Sequence, residues 1–261
     1  MQYGIVALAA LLVAGLTLFS GFGLSTMLLP VLALFLPVQA AVAATAIVHL
    51  LNNLFKVALV GRHADWQVSL RFAVPAAAAS FLGAALLGYV ARQPPLLHYE
   101  LAGRVQTITP VKLTIGVLLV AASLFELLPR FERLAIDRKY LPVGGVLSGF
   151  FGGLSGLQGA LRAPFLINAG LSRDAFIGTS AVAAVVVDVA RLIVYGTAYA
   201  TASFGRLPPG GAGLVAVAML AALLGSWIGA RLVPRVTLRS LQVIVGVMLL
   251  MAGAALAAGL A

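Results

Sequence analysis

Long apolar segments parted by short polar breaks set the first limit on what this chain can become. They fall at roughly 4–36, 38–60, 70–91, 111–128, 141–169, 175–203, 211–231 and 240–260. A run of about 18 or more apolar residues is long enough to cross a hydrocarbon core of ~30 Å. The chain is therefore expected to be a polytopic membrane protein. Its composition agrees, with 62% hydrophobic and 9% charged residues in 261, where soluble domains carry about 25% charged. The longest polar stretches, 92–112 and 129–140, are too short for a soluble domain. The first twenty residues, "MQYGIVALAALLVAGLTLFS", have no basic start and no clean cleavage site, so they read as a first membrane helix rather than a secretory leader. Cysteine is absent, which excludes disulfides, thiolate metal sites and thiol catalysis. The net charge is +10. Because the basic residues lie mostly in short loops, they point to lipid headgroups and membrane orientation rather than nucleic acid. No Walker A pattern occurs, so no ATP hydrolysis is expected.

Two segments, 4–36 and 141–169, are too long for one simple span at 1.5 Å per residue. Each holds a glycine-rich break followed by proline: "SGFGLSTMLLP" from Ser20 to Pro30, and "GGLSGLQGALRAP" from Gly152 to Pro164. The two breaks start two halves of an internal repeat. Aligning Pro30 with Pro164 brings Ser25 onto Gly159 and Thr45 onto Thr179. Further on, Asn53 meets Asp188, Lys56 meets Arg191 and Gly61 meets Gly196. The loop charges test the topology. If each long segment crossed once, the basic residues would divide seven and seven. If each folds back at its break, ten lie on one side (Arg62, Arg71, Arg130, Arg133, Arg138, Lys139, Arg173, Arg231, Arg235, Arg239) and four on the other (Arg92, Arg104, Lys112, Arg206). Only the second arrangement obeys the positive-inside rule. It gives each half an odd number of net crossings, so the halves point opposite ways, as in many secondary transporters. The expected fold is all-α: a first repeat over 1–128, a basic cytoplasmic linker over 129–140 and a second repeat over 141–261. Each repeat is a helical hairpin followed by three membrane helices. The basic loops would be cytoplasmic and the termini outside.

The stretches "GFGLSTMLLPVLALFLPVQAAVAATA" and "GFFGGLSGLQGALRAPFLINAGLSRDAFIGTSA" resemble the paired signature of the sulfite exporter TauE/SafE family of membrane permeases. That pattern is a glycine cluster, a proline about five residues later, and an Ala/Gly-Thr pair near the next helix. The resemblance covers nearly the whole chain and is closer in the second half. In the first half Ser25 and Thr26 stand where glycines are expected. It implies a permease for small sulfur-containing anions such as sulfite or sulfonates.

Candidate site residues gather around the breaks. A broken helix exposes backbone N–H groups that must face protein or a water-filled cavity, and half-helix N-termini attract anions. The same glycines also serve close helix packing. Ser25, Gln158 and Gly159 lie at the breaks. Arg162, two residues before Pro164, either holds an anion or snorkels to headgroups. Asp188 and Arg191, three apart, share a helix face. They form either an ion pair or a substrate contact with a nearby proton acceptor. Asn53 and Lys56 are their counterparts, with snorkelling open to Lys56. Thr45 and Thr179 either cap nearby helix starts or donate to substrate oxygens. His49, one turn after Thr45, is either a proton carrier or simply hydrogen-bonded in place. Glu126 is expected at the interface, as are Trp66 and Trp227.

The sequence therefore predicts a secondary transporter moving a small anion, a sulfur oxyanion or organosulfonate, across the cytoplasmic membrane by alternating access. Substrate-binding candidates are Arg162, Arg191, Lys56, Thr45, Thr179, Ser25, Gly159 and Gln158. Proton or ion-pair candidates are Asp188, His49 and Asn53. No cofactor, metal or nucleic acid is called for. Membrane lipid is an expected partner, and a second copy of the chain is a candidate one. An anion channel on the same site is the alternative. The string "GLSG" (153–156) also matches the serine motif of rhomboid proteases. That chemistry needs a membrane histidine from a later helix, and all three histidines precede it.

Overall fold

The computed structural model describes residues 1–17, 23–101, 103–128, 136–200, 207–232 and 238–260. Among these lie ten α-helices: α1 (Gln2–Thr17), α2 (Leu24–Ala33), α3 (Val38–Val60), α4 (Trp66–Val90), α5 (Pro110–Leu127), α6 (Leu141–Ser155), α7 (Gln158–Ile167), α8 (Arg173–Ala200), α9 (Gly211–Leu232) and α10 (Leu238–Ala257). Five of them, α3, α4, α5, α8 and α9, are long and apolar enough to cross a membrane. The chain is a multi-pass membrane protein. Each long segment is broken where glycine predicts it. Gly23, at φ 106°, precedes α2, and Gly156, at φ 83°, ends α6. Both dihedrals lie in the left-handed region that glycine enters without steric cost. The return arms α2 and α7 have ten residues each, roughly 15 Å at 1.5 Å per residue, so neither crosses the hydrocarbon by itself. Most of the linker, residues 129–135, and the loop arginines Arg206 and Arg235 lie outside the described residues.

Helix pairing is set by small residues. In α6, a Cβ on Gly145, Gly149 or Gly153 would stand 2.0–2.3 Å from the carbonyl oxygens of Phe72, Ala76 and Ser80 in α4. The two backbones touch only because those side chains are absent. In the same way Gly225 of α9 lies on the Leu11 carbonyl of α1, and Gly116 of α5 on Gly253 of α10. α3 packs against α8 and α9, and α8 packs in turn against α3 and α4. The main apolar core runs through α1, α2, α3, α5, α9 and α10.

Several expectations are corrected here. The fold is not purely helical, because polar residues 92–112 contain an antiparallel hairpin, β1 (Leu97–Leu101) and β2 (Arg104–Ile108). Gly103, at φ 74°, turns it. Tyr99 Oη ties it to the Ala258 carbonyl at 2.5 Å, beyond α10. Pro30 and Pro164, which follow the breaks, stand seventh in α2 and α7, where each removes one helical N–H bond. Thr45 and Thr179 lie well inside α3 and α8, so neither caps its own helix. Glu126 is buried rather than at an interface. Trp66 and Trp227 are exposed, as interfacial aromatics should be, and the Arg231 guanidinium lies 3.9 Å above the Trp227 ring.

Candidate functional site

The polar residues of α3 recur at helical spacing. Thr45, His49, Asn53 and Lys56 are four, four and three apart, which places them along one face. All are buried. The facing helix α8 carries Asp188, Arg191 and Tyr195, also buried. Between them runs the second break, with Gln158, Gly159 and Arg162 on α7. Asp188 and Arg191 are fully enclosed; Arg162 is 1% exposed, and His49 and Lys56 are 5%. Snorkelling is thereby excluded for Arg162 and Lys56, whose heads stay inside the helix bundle.

Asp188 is the hub. Arg191 donates to its Oδ1 from Nε at 3.0 Å and from Nη2 at 2.6 Å. Gln158 Nε2 donates to the same oxygen at 2.8 Å. His49 Nδ1 lies 2.6 Å from Oδ2. The predicted ion pair therefore exists, and it is one part of a larger network joining α3, α7 and α8. A carboxylate with this many donors is fixed in place. Arg191 also reaches back to the break, where Nη1 donates to the Gly152 carbonyl at 3.1 Å. Tyr195 donates to the Gly153 carbonyl. The Gly152 carbonyl also accepts from Gly156 N–H at 2.9 Å, so Arg191 adds a second donor to it, and both bonds tie α8 to the last turn of α6. Gln158 is clamped at its other groups. Its carbonyl accepts from Ser148 Oγ at 2.8 Å, and its Oε1 accepts from Arg162 Nη1 at 3.3 Å.

The two breaks meet here. A Cβ on Gly156 would stand 3.0 Å from Arg191 Nη1 and 3.7 Å from Ser25 Cβ. The start of α2, the end of α6 and the arginine of α8 thus share one point. Neither α2 nor α7 has a side-chain cap at its start. Ser25 Oγ and Thr45 Oγ1 are buried without a hydrogen-bond partner. Lys56, likewise without a hydrogen bond or ion pair, lies within electrostatic range of Arg162. Among the described residues, the cluster carries three cations, Lys56, Arg162 and Arg191, and one carboxylate, Asp188.

Two predicted residues have other work in this structure. Thr179 Oγ1 accepts from the Asp65 backbone N–H at 2.9 Å. Asp65 in turn caps α4 by accepting from Val68 N–H at 3.0 Å. Thr179 therefore fastens the α3–α4 connection to α8, away from the Asp188 network. Ser155, the serine of the protease-like string, donates to the Phe151 carbonyl of its own helix at 3.0 Å, while His49 is engaged by Asp188. Sequence reasoning missed Tyr195 and Ser148, which hold the break through backbone carbonyls and carry no motif.

No curated protein and no solved structure matches the chain. A family model does: Sulfite exporter TauE/SafE, over residues 6–256. With both glycine breaks in place, and with that match running almost from end to end, the chain belongs to the sulfite exporter TauE/SafE family of membrane transporters.

Proposed function

We propose that this transporter moves a small sulfur oxyanion or organosulfonate by alternating access, with the anion held where the two breaks meet. The observation that carries this reading is the meeting of the two breaks at Gly156, with uncapped helix starts there and with unpartnered hydroxyls and buried cations on the surrounding helices. Uncapped N-termini carry partial positive charge, and unbonded buried hydroxyls cost free energy until a ligand accepts from them. An oxyanion answers both. Ser25 Oγ and Thr45 Oγ1 donate to its oxygens, the α2 and α7 backbone N–H groups, Gly159 included, face its charge, and Lys56 and Arg162 neutralise it. Arg191 acts mainly as a positioning residue, since Asp188 and the Gly152 carbonyl already occupy most of its donors. The membrane is the cytoplasmic one, with the basic loops inside.

The rocking of two inverted halves is supported by the pattern of helix contacts. Exchanging the halves maps α1 onto α6, α3 onto α8, α4 onto α9 and α5 onto α10. Under that exchange the α1–α9 contact becomes α6–α4, and α3–α9 becomes α8–α4. The α3–α8 and α5–α10 contacts map onto themselves. All of these contacts are present, as expected for two repeats related by a two-fold axis, and the loop charges argue for opposite orientation.

The test is ligand-induced stabilisation of the purified protein by sulfite, thiosulfate, sulfoacetate, taurine, sulfate and acetate. A ligand bound only to the folded state at 100 times its Kd contributes about 2.7 kcal/mol. A rise in Tm confined to sulfur anions, and lost in both Lys56→Ala and Arg162→Ala, is expected. Full stabilisation retained in both variants would rule the site out.

A further inference from the structure

One buried titratable group that the anion site does not use bridges the two halves. His49 sits on α3 in the first half and meets Asp188 of the second half at 2.6 Å. The network fixes its tautomer. Asp188 only accepts, so Nδ1 carries the hydrogen and donates to Oδ2. Nε2 is then the unprotonated ring nitrogen; the Asn53 amide lies over the ring, its Nδ2 3.0 Å from Nδ1 and 3.2 Å from Nε2, and the Gln158 amide nitrogen is 3.4 Å from Nδ1. We infer that His49 binds the proton whose movement is coupled to that of the anion, and that the proton adds at Nε2. The inference rests on the anion site proposed above. Protonation leaves the Asn53 amide nitrogen beside a ring whose two nitrogens both carry hydrogen. The Asn53 amide relieves this by rotating to present Oδ1, giving up its bond to the His49 carbonyl (2.8 Å). The new imidazolium keeps Asp188 through Nδ1–H, so the link between the halves survives while its charge changes.

The charges around His49 set the coupling. Lys56 shares its helix, Arg162 faces it from α7, and Asp188 and Arg191 face it from α8, with Tyr195 beside them. α2 contains no titratable residue, α9 has only Arg231, at its end, α5 has Lys112 and Glu126, near its two ends, and the turn after α3 has Arg62 and His63. With no anion present, Arg162 and Arg191 oppose a further positive charge on His49, and Asp188 favours it. A bound anion cancels part of that field and makes the proton welcome. The coupling is reciprocal, because whatever the anion does for the proton the proton does for the anion. Anion and proton would therefore move in the same direction.

Thiosulfate and sulfoacetate are suitable probes because neither titrates near neutral pH. In proteoliposomes holding a pH dye, wild-type protein is expected to carry about one proton per anion. His49→Gln, which keeps a donor toward Asp188 but takes up no proton, should bring the ratio to about zero. Should His49→Gln not fold, proton uptake on anion binding to wild-type protein, read in buffers of different ionisation enthalpy, decides the matter. Anion flux without proton movement in wild type, or an unchanged ratio in His49→Gln, overturns the coupling while leaving the anion site standing. Absence of both binding and flux in wild type removes the anion site itself, and the coupling with it.

Discussion

At Gly156 a single backbone dihedral and a single contact both bear on the site. Its φ of 83° is left-handed, and a Cβ there would press on Arg191 Nη1 at 3.0 Å. Alanine pays roughly 1–2 kcal/mol for the dihedral alone. Gly170 is the internal control, because its φ is 74° but a Cβ there meets nothing within 4 Å. Both Gly156→Ala and Gly170→Ala should lower Tm, by roughly 2–8 °C on the usual scaling. Only Gly156→Ala should also remove anion-induced stabilisation. Equal binding by the two variants would show that the break geometry does not matter to the ligand. The Asp188–Arg191 pair makes a separate residue-scale prediction. Removing one partner of a buried pair costs about 3–5 kcal/mol, whereas an apolar replacement of both is often tolerated. Asp188→Leu alone should therefore be less stable than Asp188→Leu combined with Arg191→Met. Additive losses in thermal unfolding would mean that the two residues act independently.

At the scale of elements, the glycines of one short stretch divide into two kinds. Gly152 and Gly153 lie in α6, where Gly153 lets α4 approach, while Gly156 makes the turn. The sequence offered packing and breaking as competing readings, and the structure uses both within five residues. Glycine-proline spacing made the breaks legible. Thr45 and Thr179 were misjudged because apolar runs mark where hydrocarbon begins, not where a helix begins. The β-hairpin was missed because the polar stretch 92–112, with one alternating run, looks like a loop. The contact of His49 with Asp188 spans 139 residues, and no local pattern encodes a pairing of that separation. The small-residue seams do give a firm expectation. A Cβ on Gly149 would stand 2.0 Å from the Ala76 carbonyl oxygen, and one on Gly225 2.1 Å from that of Leu11. Backbone cannot yield as a side chain can, so overpacking of at least 1–3 kcal/mol is expected. Gly149→Val and Gly225→Val should both abolish a monodisperse peak in size-exclusion chromatography. Gly88→Val, at a position with open space, should not.

Across the whole molecule, the two ends of the bundle differ in charge and in construction. At one end, Arg138 approaches Asp65 at 3.9 Å and donates to Gln67 Oε1 at 3.4 Å, and Ile136 N–H donates to the Pro164 carbonyl at 3.1 Å. The end of the basic linker is thus docked over the starts of α4 and α6 and the C-terminal half of α7. At the other end the β-hairpin is fastened to the end of α10 through Tyr99 and Lys112. If the hairpin arms return at their breaks, the linker faces the cytoplasm and the β-hairpin faces outward; if each long segment crosses once, the loop charges favour no orientation. The absence of native cysteine makes the question clean, since any introduced thiol is unique. Lys139, with a side chain 65% exposed, and Glu100, exposed on β1, are the positions to use. In intact cells a membrane-impermeant maleimide should label Glu100→Cys and spare Lys139→Cys until the membrane is opened. The reverse pattern would invert the orientation read from the loop charges. Labelling of both from outside would put the linker and the β-hairpin on one side, which the even number of crossings between them in that case could not reconcile with α5 as a single span. That result would break the two-repeat topology from which the shared anion site was reasoned.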